Sequence, residues 1–440
     1  MAENGISLCM IARDEQDLLG GAIESARRLV SEIVVVDTGS IDKTALVATR
    51  YGATVLPFEW QDDFAAARNF ALSHCTQPWV LVLDCDERLT EKDLSLLRAA
   101  TKLPSALALV QRHYVTSSDT RGFTPCVGEN RELEAGFPGY FESSTVRFFP
   151  RHPSLYTGRV HESVEPSLRA LGIPIRASDV RIHHYGATRL DRLAQKSELY
   201  LRLGEQKIRE IGGWQSFFEL AIEYRGAGRL EEAATALVRS HRLCPQEISI
   251  LVNLGCVLTD LGRYQDADKA LRRAIQLNEF SADAHNNLGV LALRQGDLQT
   301  ATLHLRRAVE LHPWNVGAIC NLARARLASQ DPIEAEQLYA QALEVVETHA
   351  PAWLGKGILE LQSGKLEAAR ESLSRASHFD PQSARARYYL GRCLKQLDLD
   401  QEASRELREF CRIERENQSN NYSATVEEII VAVEAELGCA

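Results

Sequence analysis

Apolar positions along the chain follow two different rules. In the first half, short runs of β-branched and aliphatic residues alternate with stretches whose apolar residues recur every three or four positions. "ISLCMIARDE" (6–15), "EIVVVDTGS" (32–40) and "WVLVLDCDE" (79–87) predict buried strands, each ending in polar or acidic residues. Segments 17–30, 42–51 and 63–75 between them carry helical spacing. Strand, helix, strand in this order predicts a parallel α/β sheet with short connections. Ligands of such sheets bind beyond the carboxyl ends of the strands, where Asp37 and Asp84 fall.

From Trp214 the pattern is helical alone. With a period of 34, six units share one register: 214–247, 248–281, 282–315, 316–349, 350–383 and 384–417. The eighth position reads Ala221, Gly255, Gly289, Ala323, Gly357 and Gly391, and the twentieth is Ala233, Ala267, Ala301, Ala335, Ala369 and Ala403. Small residues there let the two helices of a pair approach closely, and Pro245, Pro313 and Pro381 end alternate units. The pattern resembles the tetratricopeptide repeat. Residues 188–213, with leucines at helical spacing and Gly212-Gly213 at the end, are expected to join the two regions as a helix. Residues 418–440 contain an amphipathic stretch, 423–438, suited to capping a solenoid. Residues 116–140, rich in Gly, Ser, Thr and Pro, read as either a lid or a plain surface excursion. The expected division is 1–187, 188–213, 214–417 and 418–440.

Composition narrows the class. A chain of 440 residues suits two or three domains, and 45% hydrophobic with 25% charged residues suits a soluble globular protein. Residues 1–187 carry 19 Lys+Arg against 24 Asp+Glu, and the rest 31 against 36. Both parts are acidic, so nucleic acid is not expected as a partner. No apolar run reaches a membrane span, which leaves only peripheral membrane contact open. "MAENGISLCM" lacks the basic-then-apolar order of a secretory signal. Ten cysteines, none spaced as C-x-x-C, fit reduced thiols and a cytoplasmic setting.

In "VLVLDCDERL" (80–89), three carboxylates follow a hydrophobic run. Asp84 and Asp86 reach one side if the strand relaxes into a turn, and hard oxygen donors so arranged suit Mg²⁺ or Mn²⁺. Taken alone, the acids equally suit a helix cap or a solvated strand end. "VVVDTGSIDKT" (34–44), "DDFAAARNFAL" (62–72) and "WVLVLDCDE" (79–87), with "MIARDE" (10–15) before them, change that balance. In this order and spacing they resemble the family 2 glycosyltransferases of GT-A fold, over roughly the first 190 residues. The resemblance implies a nucleotide-diphospho-sugar donor and a divalent cation. It implies that Asp37 accepts from the base or ribose, with Ala12, Arg13 and Glu15 lining the same pocket. Arg68 would contact the nucleotide or its phosphates, with Asn69 holding the loop. Asp84 would face ribose and metal, and Asp86 would be the principal metal ligand. Asp37 and Asp42 also suit turn and cap roles around Gly39. Glu87 is expected outside the metal's shell, as a helix-start or supporting acid.

Inverting transfer needs a group that takes the acceptor's proton. The Q-x-x-R-W motif of processive synthases is absent, which argues against polymer synthesis. "SSTVRFFPRHPSLYTGRVHESV" (143–164) resembles a subgroup related to lipopolysaccharide core and peptide S-glycosyltransferases. On that likeness Glu162 is the candidate base, and His161 its neighbour or a phosphate or metal contact. Arg147 reads equally as a phosphate clamp or an acceptor contact, and His183 and His184 as site or core residues. The repeats would offer a groove to a polypeptide acceptor or protein partner. A lipid-linked or envelope saccharide is the competing acceptor, and a repeat adaptor with a degenerate transferase is the competing class. A nucleotidyltransferase would need a glycine-rich basic loop after the first strand, which "MIARDEQDLLGG" lacks.

Overall fold

The computed structural model describes residues 5–116, 122–134, 136–151, 153, 155–186, 190–210, 212–416 and 424–437. It contains two compact units that meet in sequence after Gly262. The first opens with β1 (Ile6–Ala12), α1 (Leu19–Ala26), β2 (Glu32–Asp37), α2 (Thr44–Arg50), β3 (Thr54–Pro57), α3 (Phe64–His74) and β4 (Trp79–Val82). It continues with β5 (Glu87–Arg88), α4 (Glu91–Ala100), β6 (Ala106–Val115), β7 (Thr124–Pro125), α5 (Arg131–Glu134), β8 (Gly139–Pro150), α6 (Glu165–Ala170) and β9 (Ile175–His184).

The strands form one sheet in the order β3-β2-β1-β4-β8-β6-β9-β5, with β7 on β8. The strands from β3 to β4 are parallel, as the alternating pattern predicts. Beyond β4 the sheet becomes mixed, because β8 runs antiparallel to both β4 and β6. The parallel part holds the strands that the pattern predicts, and the antiparallel part adds to it. The long β6–β8 pairing adds an antiparallel part that period-2 patterning alone does not orient. One core packs between the sheet and α1, α2 and α4, around Leu8, Met10, Leu19, Ile23 and Leu81. A second lies on the opposite face, around Val34, Val36, Ala71, Val82 and Phe149.

The first unit also holds α7 (Leu190–Glu210), α8 (Trp214–Gly226), α9 (Leu230–Leu243) and α10 (Ile248–Asp260). It thus runs beyond the expected boundary at 187 because α7 is bonded to the sheet domain. Arg202 pairs with Asp62 at 2.7 Å and Arg159 with Glu210 at 2.8 Å. The second unit holds α11 (Tyr264–Leu277), α12 (Ala282–Gln295), α13 (Leu298–Leu311), α14 (Val316–Ala328), α15 (Pro332–Val345), α16 (Ala350–Gln362), α17 (Leu366–Phe379), α18 (Ala384–Gln396), α19 (Asp400–Glu416) and α20 (Ala424–Glu436).

From Trp214 a helix begins every 34 residues, through Ile248, Ala282, Val316, Ala350 and Ala384. All six alanines of the twentieth position are fully buried. A Cβ on Gly289, Gly357 or Gly391 would fall 2.5–2.7 Å from Leu305, Leu373 or Leu407, so a larger residue there would push the facing leucine away. The described part of 116–140 holds β7 and α5, with Glu134 accepting from the Gly128 and Asn130 amides. Residues 117–121 and 135 of that stretch lie outside the described residues. Among the described residues no helix is long and apolar enough to cross a membrane.

Candidate active site

The turns after β1 and β2 interlock at the carboxyl edge of the parallel strands. Asp14 donates its amide to Ser40 Oγ at 3.0 Å and accepts the Ile41 amide on Oδ1 at 2.8 Å. Glu15 donates its amide to Thr44 Oγ1 at 2.7 Å, and Gln16 to Asp42 Oδ2 at 3.1 Å. Asp37 Oδ1 accepts the Gly39 and Ser40 amides, so this carboxylate shapes its own turn. Gly39 sits at φ +100 with open space around it, a backbone conformation that disfavours other residues. Asp37 pairs with Ala12 across β1 and β2, while Arg13 is exposed and Glu15 half-buried. The four residues expected to line a nucleotide pocket thus come from the ends of β1 and β2 and the turn after β1.

Strand β4 stops at Val82, and the chain turns through Asp84-Cys85-Asp86. The turn is closed by Glu87, whose amide donates to Asp84 O at 3.1 Å and whose Oε2 accepts the Asp84 amide at 2.7 Å. Glu87 is wholly buried in β5 and also accepts from Gln111 and Arg147. It does not start the next helix: Thr90 and Asp93 form a capping box for α4. Burial, with the Asp84 charge beside it, pushes the Glu87 carboxyl up against the pull of Arg147. Cys85 is buried and its thiol held up by burial, in keeping with a small filler of the turn.

The Asp84 carboxylate lies between two arginines. Oδ1 accepts from Arg68 at 2.7 Å and Oδ2 from Arg147 at 2.8 Å. Burial would raise this carboxyl, but Arg147 and Arg68 hold it well below the usual range. Arg68 also donates from Nε to Glu162, so one guanidinium joins the acidic turn to the loop after β8. α3 holds it there, with Asp63 capping the helix through the Ala66 amide and Asn69 bonded both ways to the Tyr156 backbone. Arg147 reaches Asp84 and Glu87 from β8 and is largely buried there. Removing one partner of such a buried pair typically costs about 3–5 kcal/mol, because the other charge is left stranded. Arg68 Nη1, Arg147 Nε and Tyr156 Oη are buried without a hydrogen-bond partner among the described residues.

Asp86 faces the end of β9. His184 Nε2 lies 3.5 Å from Asp86 Oδ2. Phe141, His113, His184 and Glu87 occupy one row across four strands. Within it, His113 stacks on Phe141 at 4.5 Å, and its Nδ1 lies 2.9 Å from His184 Nδ1. His113 Nε2 lies 2.7 Å from Ser143 Oγ. Burial, then His184 and Arg147, hold His113 neutral, down to about 3. A His184 Nδ1–H donated to His113 leaves the Nε2 lone pair facing Asp86. A Cβ on Gly186 would fall 2.6 Å from His184 Cε1 and 3.0 Å from Asp86 Oδ2, so glycine keeps this corner open. His183 points the other way, buried, with Nδ1 2.7 Å from Tyr114 Oη, and takes the core role. His161 is exposed at φ 50, with Nε2 3.8 Å from Glu223 Oε1.

Of the residues singled out from sequence, Arg68, Asp84, Glu162 and Arg147 meet directly, and Asp86 meets His184. Asp37, Arg13 and Glu15 belong to the adjoining turns. Gln111, His113 and Lys207 were not foreseen. "QRH" in β6 offers a signal only once the register brings it beside β9.

The chain thus joins a mixed α/β sheet, with an acidic turn at its parallel edge, to helical repeats. The model for glycosyl transferase family 2 matches residues 7–151, and tetratricopeptide-repeat models match 252–314, 292–359 and 326–384. An uncharacterized glycosyltransferase of Rickettsia prowazekii is 34% identical over 227 residues, covering 50% of this chain and 73% of the relative. The lipopolysaccharide core biosynthesis glycosyltransferase LpsC of Rhizobium meliloti is 29% identical over 224 residues, covering 49% and 76%. A TPR repeat-containing protein of Synechococcus elongatus is 39% identical over 199 residues, 43% of this chain, which spans 44% of that relative's length. The chain belongs to the family 2 glycosyltransferases and carries tetratricopeptide repeats behind the transferase domain.

Proposed function

We propose that the transferase domain moves a sugar from a nucleotide-diphospho-sugar to an acceptor with inversion, aided by a divalent cation. The observation that carries this reading is the Arg68 bridge, which joins the Asp84 turn to Glu162. Donor and base ends of one reaction then lie on a single guanidinium. Asp37, with Ala12, Arg13 and Glu15, takes the nucleoside. Arg68 steadies Asp84 beside the ribose.

The Asp86 carboxylate suits Mg²⁺ or Mn²⁺, and an imidazole nitrogen beside it favours Mn²⁺. Asp86 Oδ2 and His184 Nε2 are 3.5 Å apart, a span two donors of one small cation can share. Among the described residues no three His, Cys, Asp or Glu side chains gather into a cage. A cation held by one or two side chains and substrate phosphates is the usual Mg²⁺ arrangement. Asp84, with both oxygens on arginines, serves here as the residue that orients the turn and faces the ribose. The cation's contribution, once bound, is to offset charge on the departing diphosphate.

The acceptor's nucleophilic atom bonds to the anomeric carbon as the bond to the diphosphate oxygen breaks. Its proton passes to Glu162, with His161 beside it, and the nucleoside diphosphate leaves. The repeats favour a polypeptide acceptor or protein partner. A saccharide acceptor is the second reading, favoured by the likeness to the lipopolysaccharide core enzyme.

A panel of nucleotide sugars, screened with and without Mn²⁺ by thermal shift and nucleotide release, tests the reading. One sugar nucleotide should raise the melting temperature and turn over, and Asp86→Ala should lower metal-dependent turnover about a hundredfold. No turnover of any nucleotide sugar, or full activity in Asp86→Ala, refutes it. Absence of all nucleotide binding would instead favour the adaptor.

A further inference from the structure

Lys207, on α7, is a buried cation far in sequence from every motif of the transferase. Its Nζ donates to Val160 O at 2.9 Å, to His161 O at 3.3 Å and to Glu219 Oε2 at 2.7 Å. An ammonium has three protons, and these three acceptors use them all. Two of the acceptors are the carbonyls immediately before Glu162.

The loop carrying Glu162 is closed on itself and strained. Thr157 and Ser163 exchange backbone hydrogen bonds at 2.9 and 3.0 Å, so five residues turn between them. Within the turn Gly158 stands at φ +95 and His161 at φ 50. A histidine in the left-handed region costs on the order of 1–2 kcal/mol and persists only where its surroundings impose it. The Lys207 ammonium, bonded to the carbonyls on either side of the His161 α-carbon, is that imposition. A Cβ on Gly158 would lie 3.5 Å from Lys207 Cε and 3.7 Å from Glu162 Cα, so lysine and loop are in packing contact.

The loop is therefore held from two sides. Arg68 binds the Glu162 carboxylate from α3, and Lys207 binds the backbone behind it from α7. The counter-charge of Lys207, Glu219, belongs to α8, the first helix of the 34-residue series. One turn further along α8, Glu223 approaches His161. Tyr200 of α7 packs between His161 and Phe64 at ring separations of 6.1 Å.

We propose that Lys207 is a positioning residue for Glu162, and that the first repeat helix supplies the carboxylate that keeps Lys207 in place. The root of the repeat array is then a working part of the transferase. This inference rests on Glu162 being the base.

Full-length wild type, Lys207→Met, Lys207→Arg, Glu219→Gln and Glu162→Gln are compared by hydrogen-exchange mass spectrometry and by turnover of the nucleotide sugar that the wild type consumes. In Lys207→Met, exchange across 157–163 should rise about tenfold while β1 and β4 stay unchanged. Its kcat should fall about tenfold or more with donor KM within about twofold, as misplacement of one catalytic group implies. Glu219→Gln should move both readouts in the same direction, by less, and Lys207→Arg should restore them. Wild-type exchange in Lys207→Met, or raised exchange with unchanged kcat, overturns the proposal. Unchanged kcat in Glu162→Gln overturns the base reading instead, and the exchange measurement still decides whether Lys207 holds the loop.

Discussion

Two adjacent histidines at the end of β9 illustrate what separates a site residue from a core residue. His183 and His184 have the same chemistry and point to opposite faces of the sheet, as successive strand residues must. His183 meets Tyr114 inside the protein, and burial holds its ring neutral, down to about 4. His184 meets Asp86 at the open corner kept by Gly186. His184→Ala should therefore raise the Mn²⁺ concentration needed for half-maximal turnover, roughly ten- to a hundredfold. His183→Ala should leave that concentration unchanged and lower the melting temperature. Titrating both variants with Mn²⁺ decides it, and equal behaviour of the two would remove His184 from the cation site. Sequence could nominate the pair without ranking it, because the ranking depends on which face of β9 meets the acidic turn. Asp84, Asp86 and Arg68 were legible because their motif spacing is local. Lys207 and Gln111 were not, since their partners lie 46–47 and 24 residues away in the chain and nothing local marks the encounter.

At the scale of elements, legibility tracks repetition. A small residue required every 34 positions leaves a signal that survives variation at every other site, and the helix starts follow it. Strands β3 and β5, of four and two residues, leave almost none, and the antiparallel insertion of β8 is set by long-range pairing. The repeats also contain a pair that should respond to pH. His285 on α12 and His304 on α13 approach through their Nδ1 atoms at 2.9 Å, and His285 Nε2 lies 3.1 Å from Glu279 O. While neutral, a ring that donates Nε2–H to a carbonyl accepts at Nδ1, so His304 donates Nδ1–H to His285, and a proton added to His285 Nδ1 would set two N–H groups against each other. Burial lowers both, with His285 adding to the shift of His304. The sign follows. Unfolded rings take up protons near the ordinary 6.5, folded ones only at lower pH, so between those points the unfolded state binds more protons. Stability from the neutral pair is present above 6.5 and lost as pH falls below it. Thermal unfolding followed by the helical circular-dichroism signal should show a falling midpoint from pH 7.5 to 5. In a His285→Gln, His304→Gln double variant the fall should be shallower. An unchanged slope would rule the pair out as a pH-sensitive contact.

For the whole molecule, the difference between the sequence boundary and the compact boundary determines how the repeats can be tested. A cut at 213 follows the motif division and removes Glu219 and Glu223, which support Lys207 and face His161. Loss of activity after that cut would say nothing about acceptor presentation, since the Glu162 loop would lose its support at the same time. A cut after Gly262 keeps α7 to α10 and the whole first compact unit. If the remaining repeats present a polypeptide acceptor, residues 1–262 should bind and slowly hydrolyse the donor as the full chain does, yet fail to glycosylate the protein acceptor. If the acceptor is a saccharide recognised by the transferase domain alone, transfer should survive that cut. Both fragments should differ in one further respect: exchange across 157–163 should be native-like after the cut at 262 and fast after the cut at 213. That contrast separates a repeat array that carries the acceptor from one whose first helix only steadies the base, because the two roles are lost at different lengths of the same chain.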